Sequence, residues 1–148
     1  MTLKRILLPV DFSESSQLCL STAVALARSN DAELFLLHVE EPQPVITAGG
    51  GVAAYPIPLP ATEELEAQLK AIDPGENARC SRHMVLGTAS SEIVKFADES
   101  DIDMIVMGTH GRTGLSRLLM GSVAEAVVRK APCPVLTLKQ PMDEAVTL

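Results

Sequence analysis

The densest chemistry in the sequence lies between Gly108 and Ser122. It reads Gly108-Thr109-His110-Gly111-Arg112-Thr113-Gly114, runs on through Leu115 to Met120, and closes on Gly121-Ser122. Two residues separate Gly108 from Gly111 and nine separate Gly111 from Gly121. Glycines lack a Cβ, so such a loop lets backbone N–H groups converge on an anion without side-chain obstruction. Ser122-Val123-Ala124-Glu125 has the spacing of a capping box, which predicts that Ser122 begins a helix. Its hydroxyl and the N–H groups of that first turn would seat a phosphate at the positive end of the helix dipole. Arg112 and Arg117 add charge from the loop. The competing reading is a plain strand-to-helix turn that needs positive φ. A P-loop is excluded, because GxxxxGK[ST] is absent and no Lys follows Gly121. Without that lysine, fast γ-phosphate hydrolysis is not expected.

Two further positions belong with this loop. Asp11 follows the first apolar run and would face the glycine loop if the first and fourth strands are neighbours. There it would accept from a ribose hydroxyl or an adenine amino group; equally, it would cap the first helix together with Ser13. Val39 ends the second strand, where its backbone would meet a base edge, or its side chain would simply fill core. His38, His83 and His110 have no metal-site spacing. His38 is read as a satisfied histidine near a strand end. Ser15-Ser16, Ser90-Ser91 and Ser122 lack a nearby base and a GxSxG frame, so a hydrolytic triad is not expected. The Glu63-Glu64-Glu66 run reads as a solvated helix face, and Met104, Met107 and Met120 as packing.

The elements that must position these residues alternate between apolar runs and helical patterns. Strands are predicted at 6–10, 33–39, 79–86, 101–108 and 134–138, and helices at 14–29, 62–72, 89–100 and 122–131. In the first helix Leu18, Thr22, Ala25 and Leu26 share one side, and the mostly small other positions, Ser21, Ala23 and Ala27, allow close packing against a sheet; Ile93, Phe96 and Ala97 face inward in the third. Five prolines and Gly49–Gly51 between 40 and 61 predict a long, mobile connection with no regular element. Continuously apolar strands alternating with helices imply one α/β domain, 1–140, with a parallel sheet covered on both faces and a tail at 141–148. In such folds ligands sit at the carboxyl ends of the strands, where the strand order reverses.

Composition closes other routes. The 148 residues carry 12 Lys+Arg against 19 Asp+Glu, a net charge of −7, which disfavours nucleic acid and anionic membranes. Aromatic residues are 3% with no Trp, too few for a base-stacking platform. Cys19, Cys80 and Cys133 are odd in number with no CxxC, and read as small buried apolar residues. No secretory signal is apparent, and no run approaches roughly 18 apolar residues, so a cytoplasmic location is expected.

Residues 108–138, GTHGRTGLSRLLMGSVAEAVVRKAPCPVLTL, closely resemble the universal stress protein family. Gly108, Gly111, Gly121 and Ser122 match every position of its ATP-binding signature, G-x2-G-x9-G-[ST]. The opening KRILLPVDFSESS and the LLHV of the second strand are similar to that family as well. The resemblance implies an open five-stranded parallel sheet of order 3-2-1-4-5, adenine-nucleotide alpha hydrolase-like, and binding of ATP with Mg or Mn. It implies that Pro9, Val10 and Asp11 line the ribose and adenine site, that Val39 bonds the base through its backbone, and that Gly108 lies against the ribose. Gly111, Arg112, Gly121, Ser122 and Val123 would surround the phosphates. It further implies a homodimer pairing fifth strands, here Pro134, Val135, Leu136, Thr137 and Leu138.

The expectation is a dimeric, ATP-binding stress-response sensor or regulator that acts on a protein partner and turns ATP over inefficiently. Its rivals are a slow ATPase or autophosphorylating enzyme, with Ser122 or Thr113 as acceptor, and a nucleotide-free interaction module. A flavodoxin is disfavoured because its phosphate loop would follow strand one, where this chain has DFSESS.

Overall fold

In the computed structural model, residues 1–42, 45–46, 48–53, 61–110 and 120–139 are described. The main sheet contains β1 (Arg5–Pro9), β2 (Glu33–Glu40), β5 (Cys80–Leu86), β6 (Met104–Gly108) and β7 (Val135–Leu138). Its order is β5-β2-β1-β6-β7 with every pair parallel, the predicted 3-2-1-4-5 arrangement. The strand order reverses at β1, so the carboxyl ends of β1 and β6 open a crevice between the connections on either side.

Among the described residues four helices cover the sheet: α1 (Glu14–Asn30), α2 (Ala61–Ala71), α3 (Ala89–Glu99) and α4 (Ser122–Lys130). Alternate side chains of the central strands feed two cores. Ile6, Leu8, Leu34, Leu36 and Val106 pack with Cys19, Ala23 and Ala27 of α1 and Leu69 of α2. Leu7, Leu37, Ile105 and Met107 pack on the other face with Ile93 and Ala97 of α3 and Ala124 and Val127 of α4. Ile6, Leu7 and Leu8 are fully buried, which is why the first strand is apolar without alternation.

One expectation is met and one requires correction. Helix α1 lays the small positions Ala23 and Ala27 against the sheet, with Cys19 and Val24 buried beside them, while Leu18 and Ala25 are exposed. Small side chains let the helix axis approach the sheet closely, and this outweighs the larger residues. The 40–61 stretch does form a regular element, an antiparallel pair of β3 (Val45–Ile46) and β4 (Val52–Ala53). Its turn contains Gly50 at φ +79°, a conformation that glycine adopts without a Cβ penalty. The rest of the proline-rich stretch, like the 141–148 tail, lies outside the described residues.

Candidate functional site

The carboxyl ends of β1, β2 and β6 and the amino ends of α1, α3 and α4 surround a cleft of about 450 Å³. That is within the common range for small-molecule sites, roughly 300–1,000 Å³. Of the sequence-selected residues, Pro9, Val10, Asp11, Val39, Gly108, Gly121, Ser122 and Val123 all line it. Gly111, Arg112, Thr113 and Arg117 lie outside the described residues.

Asp11 is held by the hydroxyl-rich segment that follows it. Its Oδ1 accepts from the Ser13 amide at 3.0 Å, from Ser13 Oγ at 2.5 Å and from Ser16 Oγ at 2.8 Å. The Asp11 amide donates back to Ser16 Oγ at 3.4 Å. Asp11 thus fills both roles open to it in the sequence: it organises the amino end of α1 and lines the cleft. The helix cap itself is Ser13, whose own side chain makes no cap bond. Between them Phe12 takes φ +63°, an uncommon conformation for a bulky residue and one that concentrates at functional sites.

The glycine segment is pinned at both ends. Ser15 Oγ donates to the His110 carbonyl at 2.9 Å, crossing from α1 to the residue two beyond β6. A Cβ on Gly108 would sit 2.9 Å from that same Oγ and 3.3 Å from the His110 oxygen, so a side chain there would displace the Ser15 hydroxyl. The Gly121 amide donates to the Thr109 carbonyl at 2.6 Å, so the chain returns to the point from which it left. A Cβ at Gly121 would lie 3.2 Å from the Thr109 oxygen.

Ser122 begins α4 as expected, but the capping box is not formed. Gly121 is the N-cap, with extended backbone and its carbonyl accepting from the Glu125 amide at 2.9 Å; Ser122 is the first helical residue. Glycine is a good N-cap, and Glu125, which a capping box would send back to the cap, bonds Arg129 one turn on at 2.7 Å. At α3 the arrangement is opposite: Glu41 Oε1 accepts from the Ala89 amide at 2.9 Å and sets a carboxylate on that helix end. Of these two helix ends on the cleft, α3 is capped by an acid and α4 by glycine.

β2 outruns β1 on the far wall. Glu33 donates to the Lys4 carbonyl and Leu37 accepts from Val10, whereas Leu34 donates to Arg79 and Glu40 accepts from Gly87. Odd residues of β2 therefore bond toward β1 and even ones toward β5. Val39 is odd, and β1 has already ended at Pro9, so its N–H and C=O are directed at the cleft. Beside it His38 is 3% exposed, with Nδ1 2.7 Å from the Val10 carbonyl and Nε2 3.0 Å from Glu40 Oε2. The expectation of a satisfied histidine is met.

Cys19 closes the floor. Burial, reinforced by the charge of Asp11, pushes its thiol up from 9.0 to about 11, so it is a packing group and not a nucleophile at neutral pH. None of the three cysteines is in a disulfide. Among the described residues no cluster of three His, Cys, Asp or Glu could hold a metal. No helix among them is long and apolar enough to cross a membrane.

The reading of the sequence did not select Ser15, Ser16, Glu41 or Thr109 as cleft residues. The spacing of hydroxyls after Asp11 (positions 13, 15 and 16) carried a usable signal for the first two. Glu41 had none, because its partner Ala89 is 48 residues away.

The model of the universal stress protein family matches residues 2–139. The universal stress protein MJ0531 of Methanocaldococcus jannaschii is 34% identical over 144 residues, covering 95% of this chain and 85% of that protein. The solved structure of MJ0577 superposes with a TM-score of 0.77 at 32% identity, covering 95% of this chain and 98% of the other. A universal stress protein of Archaeoglobus fulgidus, solved in complex with dAMP, superposes with a TM-score of 0.61 at 27% identity, covering 93% and 98%. On sequence and fold together, this chain belongs to the universal stress protein family.

Proposed function

We propose that the cleft binds an adenine nucleotide, ATP accompanied by Mg or Mn, and that the chain is a nucleotide-dependent regulator that turns ATP over inefficiently. The observation that carries this reading is the convergence of Asp11, Val39, Gly108, Gly121 and Ser122, distant in sequence, on one cleft of suitable size. The dAMP held by the Archaeoglobus fulgidus relative supports the ligand class.

The polarity of the cleft suggests the pose. Phosphates would lie against Gly121, Ser122 and the amino end of α4, where backbone N–H groups and the helix dipole favour an anion. The base would meet the backbone edge of Val39, and the sugar would sit between Asp11 and Gly108. The tight approaches at Gly108 and Gly121 hold the backbone close to its neighbours at the cleft wall, and larger side chains would push it away. A divalent ion would arrive with the phosphates, whose charge it offsets; Mg commonly needs only one or two protein carboxylates in such sites, and Asp11 is a carboxylate that lines the cleft. Nucleotide occupancy would favour one arrangement of the surrounding segments and so alter what a protein partner meets. We further assign the outer edge of β7 to a homodimer and the protein to the cytoplasm.

Calorimetric titration of nucleotide-stripped protein with ATP, AMP and GTP in Mg buffer tests this. One site per chain for ATP, lost in Gly121→Leu/Ser122→Leu while circular dichroism shows the fold intact, is the expected result. No heat and no thermal shift with any nucleotide would leave the loop as scaffolding. Phosphate release or a phosphorylated residue during incubation would replace the regulator reading with an enzymatic one.

A further inference from the structure

We infer that His38 is a positioning residue: by occupying the Val10 carbonyl, it stops the β1–β2 ladder one rung early and keeps the Val39 N–H available to the cleft. The final step, from an open N–H to ligand affinity, rests on the nucleotide-binding reading; the ladder argument does not.

The last rung between these strands runs from the Val10 amide to the Leu37 carbonyl at 2.8 Å. In a parallel ladder N–H and C=O of one residue point to the same side, so the next rung would join the Val39 N–H to the Val10 C=O. The Val10 carbonyl is instead met by His38 Nδ1 at 2.7 Å. A carbonyl only accepts, so Nδ1 carries the hydrogen and donates. Two further contacts hold the ring in that orientation. Glu40 Oε2 engages Nε2 at 3.0 Å, and the Phe12 ring lies 4.7 Å from the imidazole between centroids. Phe12 reaches that position through its left-handed backbone at φ +63°. The strained corner, the buried histidine and the acid two residues on thus act on one carbonyl.

Without the imidazole, the Val10 carbonyl lies in a residue only 5% exposed and needs another donor. Ladder geometry offers the Val39 N–H. The strands would pair one residue further, and the edge proposed to recognise the base would be withdrawn.

Isosteres of His38 separate this from a general packing role. Asparagine places its amide near the Nδ1 position and can donate to Val10; glutamine reaches the Nε2 position and leaves Val10 without its donor. In ligand-free protein, amide exchange at Val39 measured by NMR is expected to slow roughly tenfold in His38→Ala and His38→Gln, the effect of gaining one hydrogen bond. His38→Asn is expected to exchange at the wild-type rate. ATP affinity by calorimetry should fall by about tenfold in the first two variants and recover in the third. Unchanged Val39 exchange in a folded His38→Gln would overturn the inference, as would a folded His38→Asn that fails to restore it. His38→Gln retains bulk and the Glu40 contact, so it carries the test if His38→Ala does not fold. A wild-type protein that binds no nucleotide would sink the nucleotide reading alone, and the exchange rates would still decide the role of His38.

Discussion

The contact between Ser15 and Gly108 lends itself to a double-mutant cycle whose sign follows from geometry. Gly108 does not have positive φ, so alanine is conformationally allowed there and would ordinarily stabilise by roughly 0.4–1 kcal/mol through the unfolded state. Its Cβ, however, would sit 2.9 Å from Ser15 Oγ and 3.3 Å from the His110 oxygen. The hydroxyl must move, which breaks its bond to the His110 carbonyl at a cost of about 1 kcal/mol. Crowding against the backbone oxygen adds about 1 kcal/mol, so Gly108→Ala alone should cost about 1.5 kcal/mol net. Ser15→Ala alone should cost about 1 kcal/mol for the same lost bond. In the double variant that bond is already gone and Oγ is absent, which leaves the His110 oxygen at 3.3 Å and the residue 15 Cβ at 3.5 Å, an ordinary contact. The pair should then cost about 1.5 kcal/mol, against an additive sum of about 2.5, a coupling near −1 kcal/mol. Urea unfolding of the four proteins followed by circular dichroism measures it. Additivity within about 0.5 kcal/mol would mean that Ser15 does not guard Gly108, and the account of the cleft wall would fail.

Further outcomes follow from other parts of the molecule. The Cys19 thiol is raised to about 11 by burial and then by Asp11, so the folded state keeps a proton that the unfolded chain releases near 9.0. Stability should therefore fall as pH rises from about 9 to 11, and the fall should be shallower in Cys19→Ala; equal slopes would refute the burial argument. In β7, Pro134 and Leu138 direct their carbonyls to β6, which leaves the backbone of Val135 and Thr137 facing the open edge. Thr137→Pro removes an outward N–H without touching the β6 ladder, and sedimentation should then report a monomer where the wild type is dimeric; a dimer of undiminished stability would move the interface elsewhere. Glu41→Ala removes the acid from the amino end of α3 and should cost about 1 kcal/mol in urea unfolding, with no loss confined to α3 if the contact is incidental.

Much of the molecule was legible because the relevant signals are local. Apolar runs with no polar alternation mark β1 and β6 as covered on both faces, and the burial of Leu7 and Ile105 follows from that pattern. The glycine spacing and Asp11 were legible for the same reason: each stands at a strand end. What could not be read depended on which partner lay across space. The cap of α4 went to Gly121 because Glu125 found Arg129, a choice between two satisfactory bonds. On α1 the small positions Ala23 and Ala27 were legible as the closely packed ones, but nothing local placed Cys19 and Val24 beside them. The β3–β4 pair needs only two residues from each strand and a glycine turn, too short a pattern for periodicity to reveal.

The two helix ends at the cleft lead to a prediction about salt. With a net charge of −7, the protein's overall field repels a polyanionic nucleotide. Attraction must then be local, from the N–H groups of α4, because α3 already carries the Glu41 carboxylate and the amino end of α1 is engaged by Asp11. A helix terminus contributes about 0.3–1 kcal/mol at an exposed site and acts within its own first turn, a distance shorter than the Debye length of roughly 8–10 Å at 0.1–0.15 M salt. Added salt screens the long-range repulsion more than the short-range attraction. The dissociation constant for ATP, measured by calorimetry at 50 and 300 mM KCl with Mg in excess, should therefore change by less than about threefold, in contrast to the steep loss seen when basic side chains displace counterions. A tenfold weakening over that range would mean that Arg112 and Arg117, and not the end of α4, carry the phosphates, and the assignment of the anion seat would move into the glycine loop.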